Sequence, residues 1–135
     1  MEDSKATLRR SLQLQPGDAR IMNNLAFLIV ETGGDLNEAP KLAEQAVEKD
    51  GTNLHARDTL GWTFMKKSKP DIAIQILNNL VNKEPENATF RYHLGVALLQ
   101  KGEKKRARTE LQAALTKQLR QEDEKKIREL LAGIS

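Results

Sequence analysis

A chain of 135 residues, 39% hydrophobic and 30% charged, holds enough apolar material for one folded domain or a short repeat array, and is too short for two ordinary domains. Aromatics at 4% argue against a β-sandwich core and for helices packed through Leu, Ala, Ile and Val, and the lack of cysteine excludes a disulfide framework, a thiolate metal site and a cysteine nucleophile. The net charge of +3 is uneven, +4 from Lys101 onward and −1 before it, yet the basic end alternates signs (Glu103-Lys104-Lys105-Arg106), which reads as solvated helix faces rather than the dense basic stripe that binds nucleic acid.

Taken in chain order, residues 1–16 read as one helix carrying Ser4, Leu8 and Ser11 on its packing face. Residues 17–51 give a helix through Asn24-Leu25-Ala26-Phe27-Leu28-Ile29, a turn at Gly33-Gly34-Asp35, and a second helix with Ala39, Ala43 and Ala46 inward. Asp35 followed by Glu38 predicts a capping box, and Pro40, at about the fifth helical position, should remove one hydrogen bond. Residues 52–85 repeat the pattern with Thr59-Leu60-Gly61-Trp62-Thr63-Phe64, Pro70 in the first turn of the second helix, and Ala73, Leu77 and Leu80. Residues 86–119 repeat it again with His93-Leu94-Gly95-Val96-Ala97-Leu98, then Ala107, Leu111 and Ala114. Residues 120–135 close with an amphipathic helix over Glu122 to Ala132 that gathers Ile127, Leu130 and Leu131 on one side. Leu60 to Leu94 is 34 residues, and the downstream Ala, Leu and Ala/Leu positions keep that phase.

A 34-residue period with Leu-Gly, then Ala, then Pro at these offsets resembles the tetratricopeptide repeat. The resemblance covers nearly the whole chain. It implies an all-α, right-handed α-solenoid of helix-turn-helix units in one domain: the second helix of an incomplete repeat, three full repeats and a capping helix. The missing first helix of the opening repeat implies a piece of a longer protein, with Met1 a start at the cut.

In such repeats the first helices line a concave groove, so the resemblance assigns groove positions. It gives Arg20, Asn23, Asn24 and Phe27 in the first repeat, His55, Asp58, Trp62, Met65 and Lys66 in the second, and Tyr92, His93 and Val96 in the third. Phe27, Trp62 and Val96 share one repeat position and are expected to form an apolar stripe that anchors a partner, with Trp62→Ala abolishing capture and leaving the melting curve nearly unchanged. The plainer alternative buries them against neighbouring helices, or under the capping helix or a second copy. Asn24 matches the groove asparagines that bind a peptide backbone in this family, the alternative being a bond to a neighbouring carbonyl. The carboxylate clamp of chaperone-binding members is not expected, because Asn23, Phe27, Thr59, Thr89 and His93 stand where its Lys, Asn and Arg residues would be.

No catalytic constellation is apparent. Gly33-Gly34 lacks the Lys-Ser/Thr ending of a phosphate loop, and His55 with Asp58 supplies two ligands where zinc needs more. The expectation is a non-enzymatic scaffold without cofactor or metal that binds a protein or peptide and no nucleic acid; the alternative is a self-assembly module that forms a homo-oligomer through the groove or the open repeat end. No apolar run approaches the ~20 residues of a membrane-spanning helix, so direct membrane insertion is not expected. Strings such as Asn23-Asn24-Leu25-Ala26, Glu31-Thr32-Gly33-Gly34-Asp35-Leu36-Asn37-Glu38-Ala39 and Arg91-Tyr92-His93-Leu94-Gly95 are similar to exported or lipid-anchored bacterial repeat proteins of exopolysaccharide and surface-sorting systems. That likeness implies a soluble envelope segment; the residues themselves leave the compartment open between periplasm and cytoplasm.

Overall fold

The computed structural model describes the backbone of residues 2–134 and side chains from Ser4 to Ile134, so Met1, expected as a start at a cut, and Ser135 lie outside it. Among the described residues there are eight helices and no strand: α1 (Glu2–Leu14), α2 (Ala19–Glu31), α3 (Glu38–Lys49), α4 (Leu54–Lys66), α5 (Pro70–Lys83), α6 (Ala88–Lys101), α7 (Lys104–Leu115) and α8 (Gln121–Ile134). The all-α class expected from the sequence is the one observed. The helices gather into two compact units, α1–α4 up to Lys67 and α5–α8 from Ser68.

Each helix starts and stops for a local reason. Asp18, Asn53 and Asn87, at repeat spacing, sit in extended backbone before α2, α4 and α6, and each side-chain oxygen accepts a hydrogen bond from a first-turn N–H. Such a cap contributes about 1 kcal/mol. Gly33 (φ +73°) and Gly102 (φ +93°) end α2 and α6 in the left-handed conformation. The following N–H groups fold back, Gly34 N to Ile29 O at 2.8 Å and Glu103 N to Leu98 O at 2.9 Å.

Ser68 stands at the equivalent position after α4 with φ +61°, where a side chain costs about 1 kcal/mol. Ser68→Gly is therefore expected to raise stability by up to about 1 kcal/mol, the gain being trimmed by the freer unfolded chain. A rise in the urea midpoint at unchanged slope is the check.

Two expectations for the first full repeat are corrected. Asp35 does not build a capping box with Glu38: its carboxylate accepts from Asn37 N at 2.8 Å, while Glu38 turns to Arg9, which donates two bonds at 2.6 and 2.9 Å. Because Asp35 closes that tight turn, α3 begins only at Glu38. Pro40 is then its third residue, where an N–H would have no intrahelical partner, and the expected loss of a hydrogen bond does not arise. The Arg9 hydrogen bonds hold the Glu38 carboxyl below its ordinary 4.5, so this tie between α1 and α3 weakens as pH falls through the lowered value.

Within the first unit α2 packs on α1 and α3, and α4 packs on both α2 and α3. Met22, Ala46 and Ala56 form one apolar cluster, flanked by Leu12, Ala19 and Val47. Within the second unit α6 lies against α5 and α7, and α7 against α8. The repeat-phased small and apolar positions (Ala39, Ala73, Ala107; Ala43, Leu77, Leu111; Ala46, Leu80, Ala114) are all fully buried. α6 and α7 approach so closely that a Cβ on Gly95 would lie 2.6 and 2.7 Å from carbons of Leu111.

Candidate protein-binding faces

The positions expected in the groove lie on α2, α4 and α6, and the structure covers the three helices unequally. On α2 the buried residues Met22, Leu25, Ala26, Ile29 and Val30 define the packed side. Arg20 and Asn24 are exposed on the other side, and Asn23 and Phe27 are half-buried. The α2 face is thus a polar surface around one aromatic side chain.

α4 is covered on most sides. Asp58, Trp62 and Met65 are buried, and His55 and Lys66 remain exposed. Trp62 keeps 5% of its surface, which corrects the expectation of an open aromatic stripe. The Lys66 ammonium lies 5.4 Å from the Trp62 ring centroid, a cation–π distance, and so marks the exposed edge of the buried ring. The hydroxyls of the buried Thr59 and Thr63 bond back to His55 O (3.1 Å) and Thr59 O (2.7 Å), which lets polar residues sit inside a packed helix.

In the second unit Tyr92 and His93 are buried and Val96 is half-buried. Part of the cover over Tyr92 and Val96 comes from α8. Tyr92 belongs to one apolar cluster with Leu111, Ala114, Ile127 and Ile134, and Val96 and Leu99 pack against it. Capping-helix cover was one of the alternatives open at the sequence level for Val96, and Val96 packs against this cluster.

The twelve positions expected in the groove thus differ in exposure: those on α2 are exposed or half-buried, those on α4 are buried apart from His55 and Lys66, and on α6 Tyr92 and His93 are buried and Val96 half-buried. The N-terminal caps Asp18, Asn53 and Asn87, which set where these helices begin, were missed at the sequence level; their signal is an Asx residue recurring at the same period. Among the described residues no group of three or more His, Cys, Asp or Glu side chains could hold a metal ion. No described helix is long and apolar enough to cross a membrane.

Residues 59–123, from the middle of α4 to the start of α8, match the family model of the tetratricopeptide repeat. Among curated proteins, interferon-induced protein with tetratricopeptide repeats 2 of Mus musculus is 28% identical over 89 residues, 66% of this chain and 19% of its own length. The peroxisomal targeting signal receptor of Yarrowia lipolytica is 34% identical over 74 residues, 55% of this chain and 12% of its own. The chain thus spans less than a fifth of either relative.

Solved structures share the tetratricopeptide fold. A MamA chain of Desulfovibrio magneticus RS-1 superposes with a TM-score of 0.70 at 17% identity, covering 85% of this chain and 64% of that one. The type III secretion chaperone SycD of Yersinia enterocolitica, solved in complex with a peptide of the translocator YopD, does so with a TM-score of 0.70 at 22% identity, covering 84% and 88%. At these identities the likeness is one of fold.

Proposed function

We propose that the chain is a non-enzymatic protein-interaction scaffold that holds a protein or peptide partner on its first-helix faces. The observation that carries this reading is the α2 face, where Arg20 and Asn24 stand exposed around Phe27 while the opposite side of the same helix is fully packed. A half-buried aromatic ringed by polar side chains has the make-up of a binding anchor. His55 and Lys66 extend the surface on α4, in the same unit. Two similar proteins support the reading: SycD, solved with a YopD peptide, and the Yarrowia receptor for a targeting signal. The likeness of the Asn23–Ala26 and Glu31–Ala39 strings to exported bacterial repeat proteins supports a role for the scaffold in an envelope secretion or polysaccharide system.

The test is a photo-crosslinking amino acid at Asn24, compared with one at Gln45 on the exposed side of α3. One adduct from the source lysate that forms at Asn24, is absent at Gln45 and is lost on Arg20→Glu is the expected result. Equal labelling from both positions would overturn the reading.

A second reading, self-assembly through the α1 end, is favoured by one specific observation. Leu14 is 79% exposed at the repeat position that holds Lys49, Lys83 and Lys117 in the other units. Beside this end a cavity of about 300 Å³ between Leu12, Pro16, Leu25 and Leu42 adds apolar surface. Under this reading sedimentation shows a dimer that Leu14→Lys converts to monomer; a wild type that stays monomeric at high concentration excludes it.

A further inference from the structure

α8 packs on α7 and shares an apolar cluster with Tyr92, Val96 and Leu99 of α6, while having the attributes of a separate helical ligand. Its apolar residues Ile127, Leu130, Leu131 and Ile134 fall at i, i+3, i+4 and i+7, the spacing by which an amphipathic helix lies in a groove. Ile127 is fully buried in the cluster with Tyr92, Leu111 and Ala114, and Leu130 and Leu131 pack partly buried beside it. The opposite side is polar: Gln121, Glu122, Lys125, Lys126, Arg128 and Glu129 are all exposed.

α8 is also helical on its own local terms. Glu122, Asp123 and Glu124 occupy its first turn, where the helix dipole favours anions. Glu124 pairs with Arg128 four residues on at 3.1 Å, and Asp123 with Arg120 at 3.2 Å. Two ion pairs in this unit join different helices: Arg91 on α6 reaches Glu110 on α7 at 2.9 Å, and Lys101 on α6 reaches Asp71 on α5. The apolar cluster joins α8 to α6 and α7. The irregular stretch from Thr116 to Arg120 leads into it.

We propose that α8 is the resident occupant of a helix-binding face on α6 and α7, and that a partner reaches that face as an amphipathic helix displacing α8. The partner helix carries apolar residues at i, i+3, i+4 and i+7, because that is what the cluster around Tyr92, Val96 and Leu111 already accepts. The inference rests on the scaffold reading and deepens it: Arg20 and Asn24 on α2 are exposed as the chain stands, and the α6 face is available only to a ligand that competes with α8. Apparent affinity there is reduced by the fraction of molecules in which α8 is released.

The experiment uses the whole chain and a fluorescein-labelled synthetic peptide of residues 120–134. The chain carrying Ile127→Asp, whose resident helix is loosened, is expected to bind this peptide at least roughly tenfold more tightly than wild type, and adding Val96→Asp should abolish the gain. In wild type, hydrogen exchange is expected to release α8 amides by local opening while α6 and α7 stay protected. A folded Ile127→Asp chain that binds no more tightly than wild type overturns the proposal. So does α8 exchanging only with global unfolding, a measurement that decides the matter if the variant fails to fold. The titration needs no natural partner and the crosslink at Asn24 does not involve α8, so this inference and the scaffold reading fail separately.

Discussion

Trp62→Ala is expected to lower folding stability by about 3–5 kcal/mol, the range for deleting a large buried aromatic. With 5% of its surface exposed, the indole fills interior volume that an alanine leaves empty. The change also removes the ring under the Lys66 ammonium, a further contribution of about 0.5–1 kcal/mol at an exposed site. Against a total stability of about 5–15 kcal/mol for a domain this is a large share, and the urea and thermal midpoints should fall well below wild type. Loss of partner capture by this variant would then report unfolding as readily as a lost contact. Lys66→Glu and Phe27→Ala are the informative changes: Lys66 is exposed and Phe27 half-buried, so either should alter capture at a smaller structural cost. If Trp62→Ala melts like wild type, the indole contributes little to the packed interior, and the exposed-anchor picture drawn from the repeat register returns.

The repeat was legible because the residues that keep phase are the ones the packing uses. Ala39, Ala73 and Ala107 recur because the second helices present a small residue to a tight crossing, and all three are fully buried. Helix existence followed from the same period, and so did the closing amphipathic helix with Ile127 inside. What the sequence left open was exposure at the groove positions. A register states which way a side chain leaves its helix; whether solvent or another helix meets it depends on the next element to arrive. α8 arrives over Tyr92 and Val96, and no comparable cover lies over Arg20 and Asn24. The start of α3 was misplaced for a smaller reason. Asp35 can cap a helix or close a tight turn, and its carboxylate bonds Asn37 N, which moves the helix start to Glu38 and makes Pro40 harmless.

Gly95→Ala is expected to destabilise the second unit by about 2 kcal/mol, although alanine in a helix is ordinarily favoured over glycine by about 1 kcal/mol. The new methyl would stand 2.6 Å from Leu111 Cδ2 and 2.7 Å from Leu111 Cγ, with Ala107 O at 3.5 Å behind. Leu111 is fully buried, so its side chain has no solvent to swing into, and α6 and α7 must part or the rotamer must strain. The first repeat shows the other solution to this crossing. It carries Ala26 and Ala43 at the two corresponding positions, both fully buried, a small-with-small pairing in place of glycine-with-leucine. That contrast turns the clash into a double-mutant test. Leu111→Ala alone should cost about 2–5 kcal/mol through the cavity it leaves. Placed in the Gly95→Ala background it restores the pair used by the first repeat, so the double variant should fall short of the summed losses by about 1–2 kcal/mol. Strict additivity in urea unfolding would mean that the two side chains do not meet, and that the spacing of α6 and α7 is set elsewhere along their length.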